Sequence, residues 1–287
     1  MNPKYDIAIA YRIYEFVSKV PAIYPRNKLE LSRVGLLSLK ASLEGIRAKL
    51  YIIIDFCPPE FAQMIKSIFP VDCEIIENNP RKFNYGTFAQ QIDILTKQND
   101  SEIVYLAEDD YVYVPGQFKE LVYFIKDNKD VDFVSPYDHT DYYTSSFHNL
   151  GVNIKPYGTR YWKTGISTTL TFLTRKSILK ETAPVFLTYS KNNYDASVWI
   201  SLTKAHVFNL FTFIGTLFTE KWIWGMLWRA WRYNARQILF GRTFTLWVSL
   251  PSIATHLEKD TLGPLVDWQK YFKLFDKKND EPARSSN

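Results

Sequence analysis

The stretch Ile103-Val104-Tyr105-Leu106-Ala107-Glu108-Asp109-Asp110-Tyr111-Val112 decides how this chain reads. Its apolar first half has the length and residue types of a buried strand. It ends in three consecutive acids and turns apolar again before Pro115-Gly116. Adjacent carboxylates repel one another, and a divalent cation at the strand's end would remove that repulsion. Hard oxygen ligands suit Mg2+ or Mn2+. Taken alone, the triplet fits an acidic surface turn equally well.

The segments on either side narrow the choice. Upstream, residues 6–10 (Asp-Ile-Ala-Ile-Ala) read as a first strand, and residues 29–43 carry Leu and Val at helical spacing before Gly45. Residues 49–55 form a continuous apolar run ending in Asp55, as in a strand buried on both faces. A helix over 60–69, a strand over 73–76 and a helix over 85–95 lead back to the acids. Downstream come a helix over 117–126, a strand over 132–135, an extended Thr-rich stretch over 165–174 and a helix over 196–204. This alternation predicts an α/β fold, a parallel sheet wrapped by helices. In such sheets ligands bind beyond the carboxyl ends of the strands. Tyr11, Arg12, Asp55 and the acidic triplet then share one rim, which a surface turn does not predict.

Of 287 residues, 46% are hydrophobic, enough for a sizeable core. Net charge is only +5, which together with an acidic crevice argues against nucleic acid as a partner. Cys57 and Cys73 have neither metal-ligand spacing nor the look of a disulfide framework, so a reducing compartment is expected. The first residues lack a signal-peptide pattern. The longest apolar run, 205–219, falls short of the roughly 18–20 residues that span a bilayer. The expected location is cytoplasmic, peripheral on the inner face of the membrane.

Four features in order resemble GT-A glycosyltransferases, in particular the family-2-like inverting enzymes. They are Asp55 closing the second strand, Glu108-Asp109-Asp110 after a buried strand, Asp195 at a later helix start, and a C-terminal His256. The resemblance spans residues 5–268. It implies a Rossmann-like core, with a mixed, mainly parallel sheet flanked by helices, that transfers a sugar from a UDP-, GDP- or dTDP-linked donor to a glycan or lipid-linked acceptor in cell-surface glycan synthesis. It also implies roles. Asp110 and His256 would ligate Mn2+ or Mg2+, and Glu108 or Asp109 would reach the ribose or a metal-bound water. Asp55 would accept hydrogen bonds from the base or ribose, while Tyr11 packs on the base and Arg12 meets a phosphate. The family's Gly-rich segment is reduced to Asn84-Tyr85-Gly86. Asp195 would be the general base, since inversion needs a carboxylate opposite the leaving diphosphate. A helix-capping role for Asp195 is compatible with that. The Asp138-His139-Thr140-Asp141 cluster reads as a loop beside a sugar, and His148 and His206 as structural.

Residues 221–257 contain no Asp or Glu, and Arg229, Arg232 and Arg236 interleave with Trp224, Trp228 and Trp231. At helical spacing, Trp on one stripe and Arg on the next suits an anionic membrane surface; packing against the core is the rival reading. Residues 1–205 are expected to form the catalytic core, 206–275 a helical, aromatic segment completing the site, and 276–287 a disordered tail. A nucleotidyltransferase and a non-catalytic glycan-binding module are the alternative functions.

Overall fold

The eight residues of β1 (Ile7–Tyr14) alternate between two cores, and the molecule is built around that alternation. Ile7, Ile9, Tyr11 and Ile13 face one core, while Ala8 and Ala10 face the other. A computed structural model describes residues 3–17 and 20–276 of the chain. The expectation for the tail therefore lies outside the described residues, apart from Asp276.

Along the first half, β1 is followed by α1 (Lys28–Ser42), β2 (Ala48–Asp55), α2 (Pro59–Ile68), β3 (Cys73–Asn78), α3 (Phe83–Lys97), β4 (Ile103–Glu108), β5 (Tyr111–Tyr113) and α4 (Phe118–Asp127). β6 (Phe133–Ser135), the short α5 (Asp141–Thr144), β7 (Ile154–Tyr157), β8 (Arg160–Gly165), β9 (Phe172–Arg175), α6 (Lys176–Phe186) and α7 (Asp195–Thr203) come next. The chain closes with α8 (Leu210–Thr219), α9 (Lys221–Phe240), β10 (Leu246–Leu250), β11 (Ala254–His256) and α10 (Trp268–Phe275).

Nine strands make one sheet in the order β3-β2-β1-β4-β9-β6-β10-β8-β7. The pairings leave β9 and β8 antiparallel to the rest, so the sheet is mixed and mainly parallel, as expected. Residues from α1, α2 and α4 fill the core on one face, and residues from α3, α6 and α7 fill the other. Covering both faces is what near-continuous apolar strands such as β2 require. β10 lies inside this sheet between β6 and β8, so the stretch after residue 205 shares the sheet of residues 7–175.

Two findings position the site. β1 runs to Tyr14, four residues beyond its expected end, because the alternation continues through Tyr11-Arg12-Ile13-Tyr14. β5 and β11 form a separate antiparallel ribbon that sets His256 opposite Tyr111, immediately after the acidic triplet. The extended stretch expected over 165–174 is instead the end of β8, a loop and most of β9.

Candidate active site

The three acids do not share one partner. Register places Arg12 opposite Glu108 at the carboxyl ends of β1 and β4, on the α3 face. The Arg12 guanidinium donates to Glu108 and also to the Asn84 side chain, and it reaches the Asn84 carbonyl at 2.8 Å. The second Glu108 oxygen accepts from the Thr171 hydroxyl at 2.9 Å. Asp109 turns the other way, toward the start of α1, where the Lys28 ammonium lies 2.7 Å from its carboxylate. The Tyr14 amide and the Ser32 hydroxyl donate to the same oxygen at 3.2 and 3.3 Å. Burial holds the Asp109 pKa above the ordinary carboxylate value, Asp110 adding to the rise and Lys28 opposing it.

α1 comes this close because Gly35 has no side chain. A Cβ there would stand 2.9 Å from the Tyr11 hydroxyl and 3.1 Å from the Tyr111 carbonyl. Mutual repulsion among the carboxylates is therefore relieved by separate groups on separate elements. For Glu108 and Asp109 this replaces the expected shared cation.

Asp110 is different. One oxygen sits 3.0 Å from His256 Nε2, and the other is buried with no hydrogen-bond partner among the described residues. Burial alone would raise the Asp110 pKa, but His256, Lys28 and Arg12 bring it well below the ordinary carboxylate value. Burial lowers the His256 pKa, while Asp110, Glu108 and Glu258 more than reverse that, leaving it above its ordinary value. A buried acceptor without a donor is costly unless something fills it. Carboxylate oxygen suits Mn2+ and Mg2+, and an imidazole nitrogen suits first-row transition-metal ions rather than Mg2+. Among the described residues no group of three or more His, Cys, Asp or Glu could hold a metal. Asp110 and His256 are two donors side by side, which fits a cation that would take its remaining ligands from outside the protein.

The other expected residues divide. Arg12, Asn84, Glu108, Asp109, Asp110 and His256 line one cavity of about 430 Å³ beyond the ends of β1 and β4. Tyr11 does not: as the strand neighbour of Arg12 it points to the opposite face, fully buried in the core beside α1. Packing on a base is thereby ruled out for Tyr11 as placed, and Tyr14, at the true end of β1, lines the cavity instead. Asp55 is buried too, accepting from the Lys82 and Phe83 amides at 2.8 Å each and from the Asn78 amide group at 3.3 Å. It fastens the turn into α3, and both oxygens expected to meet a base or ribose are occupied. Gly86 lies in the first turn of α3, where a Cβ would come 2.9 Å from Lys82 Cβ, so it serves close packing there. Asp195 is exposed at the first position of α7, outside the cavity lining, and accepts from the Ala196 amide at 2.7 Å. It stands within electrostatic range of Tyr189, whose hydroxyl accepts from Asn84 at 2.9 Å; burial pushes that tyrosine up to about 12.

Asp138 is fully buried, 2.7 Å from the Lys163 ammonium, and accepts from the Tyr143 hydroxyl at 2.6 Å. It holds a structural ion pair. His206 meets the Phe147 carbonyl at 2.8 Å and stacks on the Phe147 ring, a structural role as expected.

Missed by sequence reasoning are Lys28, Thr171, Phe83 and Thr87. So is a group of aromatics beside the cavity. The Arg81 guanidinium, paired with Glu15 at 2.7 Å, lies 5.0 to 5.8 Å from the ring centres of Tyr14, Phe16, Phe56 and Phe83. Phe16, Phe56 and Phe83 are each at least half exposed. Phe16 and Phe56 border a second cavity of about 530 Å³ over the ends of β1, β2 and β3, while Phe83 lines the first. The signal was available in Phe56, directly after Asp55, and in Arg81-Lys82-Phe83.

No family model matches the chain, and no curated protein matches it. Among solved structures, the chain is similar to galactosyltransferase LgtC in complex with donor and acceptor sugar analogues: 11% identity, 93% of this chain and 95% of that one, TM-score 0.46. It is similar to Staphylococcus TarS 1-349, from S. aureus, at 12% identity over 64% of this chain and 54% of that one, TM-score 0.40. Mannosyltransferase PcManGT from Pyrobaculum calidifontis, in complex with GDP-Man and Mn2+, aligns at 11% identity over 47% of this chain and 36% of that one, TM-score 0.35. The chain thus spans about a third to a half of the length of the last two.

Proposed function

We propose that the chain is a metal-dependent glycosyltransferase using a nucleotide-diphosphate sugar. The observation that carries this is Asp110: a buried carboxylate oxygen without a partner, beside an imidazole, at the mouth of a cavity over the carboxyl ends of the strands. Asp110 and His256 would hold Mn2+ or Mg2+, which when bound supplies charge neutralisation for the departing diphosphate.

This chain's own residues do the rest. Tyr14, Phe16, Phe56 and Phe83 offer ring faces for a UDP-, GDP- or dTDP-type base, and Arg81 stands where it can pair with an anionic group. Arg12, locked by Glu108 and Asn84, brings fixed positive charge to the cavity wall. Asp195 takes the proton of the acceptor hydroxyl as its oxygen bonds to the anomeric carbon and the bond to the diphosphate breaks, with inversion. The acceptor, a glycan or a lipid-linked glycan, would bridge from the cavity to the start of α7.

A thermal-shift screen of UDP-, GDP-, dTDP- and CMP-sugars, each with Mn2+ and with chelator, tests this directly. A ligand that binds only the folded state raises its melting temperature. One nucleotide class should stabilise the protein in a Mn2+-dependent way, and Asp110→Asn should remove the dependence. Stabilisation that is equal in chelator and in the variant would overturn the metal assignment. No stabilisation by any donor would overturn the transferase. Asp195→Asn should keep donor binding and lose transfer by at least about a hundredfold, the scale of a lost general base.

A further inference from the structure

Helix α8 is built inside out. Among its residues Leu210, Phe211, Ile214, Leu217 and Phe218 are 66%, 91%, 51%, 39% and 79% exposed, while the buried one is Thr216. Asn209 caps its first turn, accepting from the Thr212 amide at 3.0 Å, so the helix is a deliberate element rather than a collapsed loop. Phe208 before it and Trp222 after it are exposed as well, at 61% and 55%. Contiguous apolar surface of this kind marks a contact site.

The chemistry around that face selects the occupant. Phe213 of α8 meets Trp224 of α9, Trp224 stacks along Trp228, and the Arg232 guanidinium lies 4.9 Å from the Trp228 ring. An aromatic row thus leads from the apolar face to a cationic edge. Between residues 196 and 257 the chain has six Lys or Arg and one acid, Glu220. The net charge of this stretch equals that of the whole chain, +5, so the remainder is neutral. A second copy docked symmetrically on this face would set the basic edge against itself. A bilayer accommodates both parts: phenyl and alkyl groups in the acyl boundary, tryptophan at the interface, cations against anionic headgroups. Among the described residues no helix is long and apolar enough to cross a membrane, so α8 would lie in the surface.

We infer that α8, with the Trp224–Trp228–Arg232 row of α9, docks the protein on an anionic membrane surface. The expected Trp stripe of α9 is only part of this. Trp231 is turned in to donate to the Val207 carbonyl at 3.0 Å. The apolar anchor is α8, whose length alone had set it aside.

Flotation of the full chain with two vesicle types tests the inference without reference to sugar transfer. Vesicles of phosphatidylcholine with phosphatidylglycerol should carry the protein, and phosphatidylcholine alone should carry much less. Phe211→Ser and Phe218→Ser should each weaken partitioning by roughly tenfold, since each withdraws a phenyl group from the bilayer. Both side chains are exposed, and an unchanged melting temperature will show that the variants fold. No flotation, or flotation indifferent to both substitutions, would overturn the inference. So would a dimer of the wild type in light scattering that the same substitutions dissolve, because a second copy would then own the face.

Discussion

Lys28 and Asp109 lie 2.7 Å apart with less than a tenth of either residue exposed. Removing one partner of such a pair leaves the other charge buried and alone, at a cost of about 3–5 kcal/mol. Lys28→Met should lose stability on that scale in urea denaturation, and Lys28→Met with Asp109→Asn should recover most of it. An equal loss in both would mean that Lys28 matters for packing rather than charge. His148 carries a second residue-scale consequence. Burial pushes its pKa from 6.5 down to about 4, with His139, His206 and Lys163 adding to the fall and Asp141 opposing it. Because the folded form binds fewer protons than the unfolded one, this group's contribution is complete above about pH 6.5 and is lost as pH falls toward 4. His148→Phe should flatten the loss of stability in that window. A profile unchanged by the substitution would assign the acid sensitivity elsewhere. At this scale the triplet, Arg12 and His256 were legible because charged residues stand out at strand ends. Lys28 was not, since its partner lies 81 positions away and nothing local announces it. Tyr11 was misplaced although period-two alternation puts it on the face opposite Arg12.

At the scale of elements, α1 owes its position to Gly35. Alanine normally favours a helix over glycine by up to about 1 kcal/mol. Here the new methyl would press on a buried hydroxyl and on a backbone carbonyl that cannot retreat. Gly35→Ala should therefore destabilise by about 1–3 kcal/mol, the usual range for overpacking. It should also weaken donor binding, because Lys28 and Ser32 on the same helix hold Asp109. A stabilised variant would show that α1 has room to move. Most helices and strands were legible from apolar period and from turn residues. The hairpin of β7 and β8 was not, because its burial is uneven and lacks a clean alternation. α8 was legible only as an apolar run; which way its side chains face depends on what packs beneath it.

For the whole molecule, the decisive property is the uneven spread of charge. Residues 196–257 carry the whole net charge of +5, and the rest of the chain is neutral. Fields from exposed charges fade within about 8 Å at physiological salt. Adsorption to anionic vesicles should weaken as salt is raised, and Arg232→Gln with Arg236→Gln should make that dependence shallower. A slope that both forms share would locate the attraction elsewhere. Fold class was legible in the order of elements, but the reversal of β9 and β8 was not. Strand direction is settled by which neighbours cover each edge, and β9 pairs with β4 and β6, strands far from it in sequence.

The β5–β11 ribbon joins positions 146 residues apart to set His256 against Asp110. A polypeptide emerging from the ribosome completes its acidic turn early and its imidazole late, with α8 made in between. The Asp110–His256 pair can therefore close only after every residue of α8 and α9 has been made.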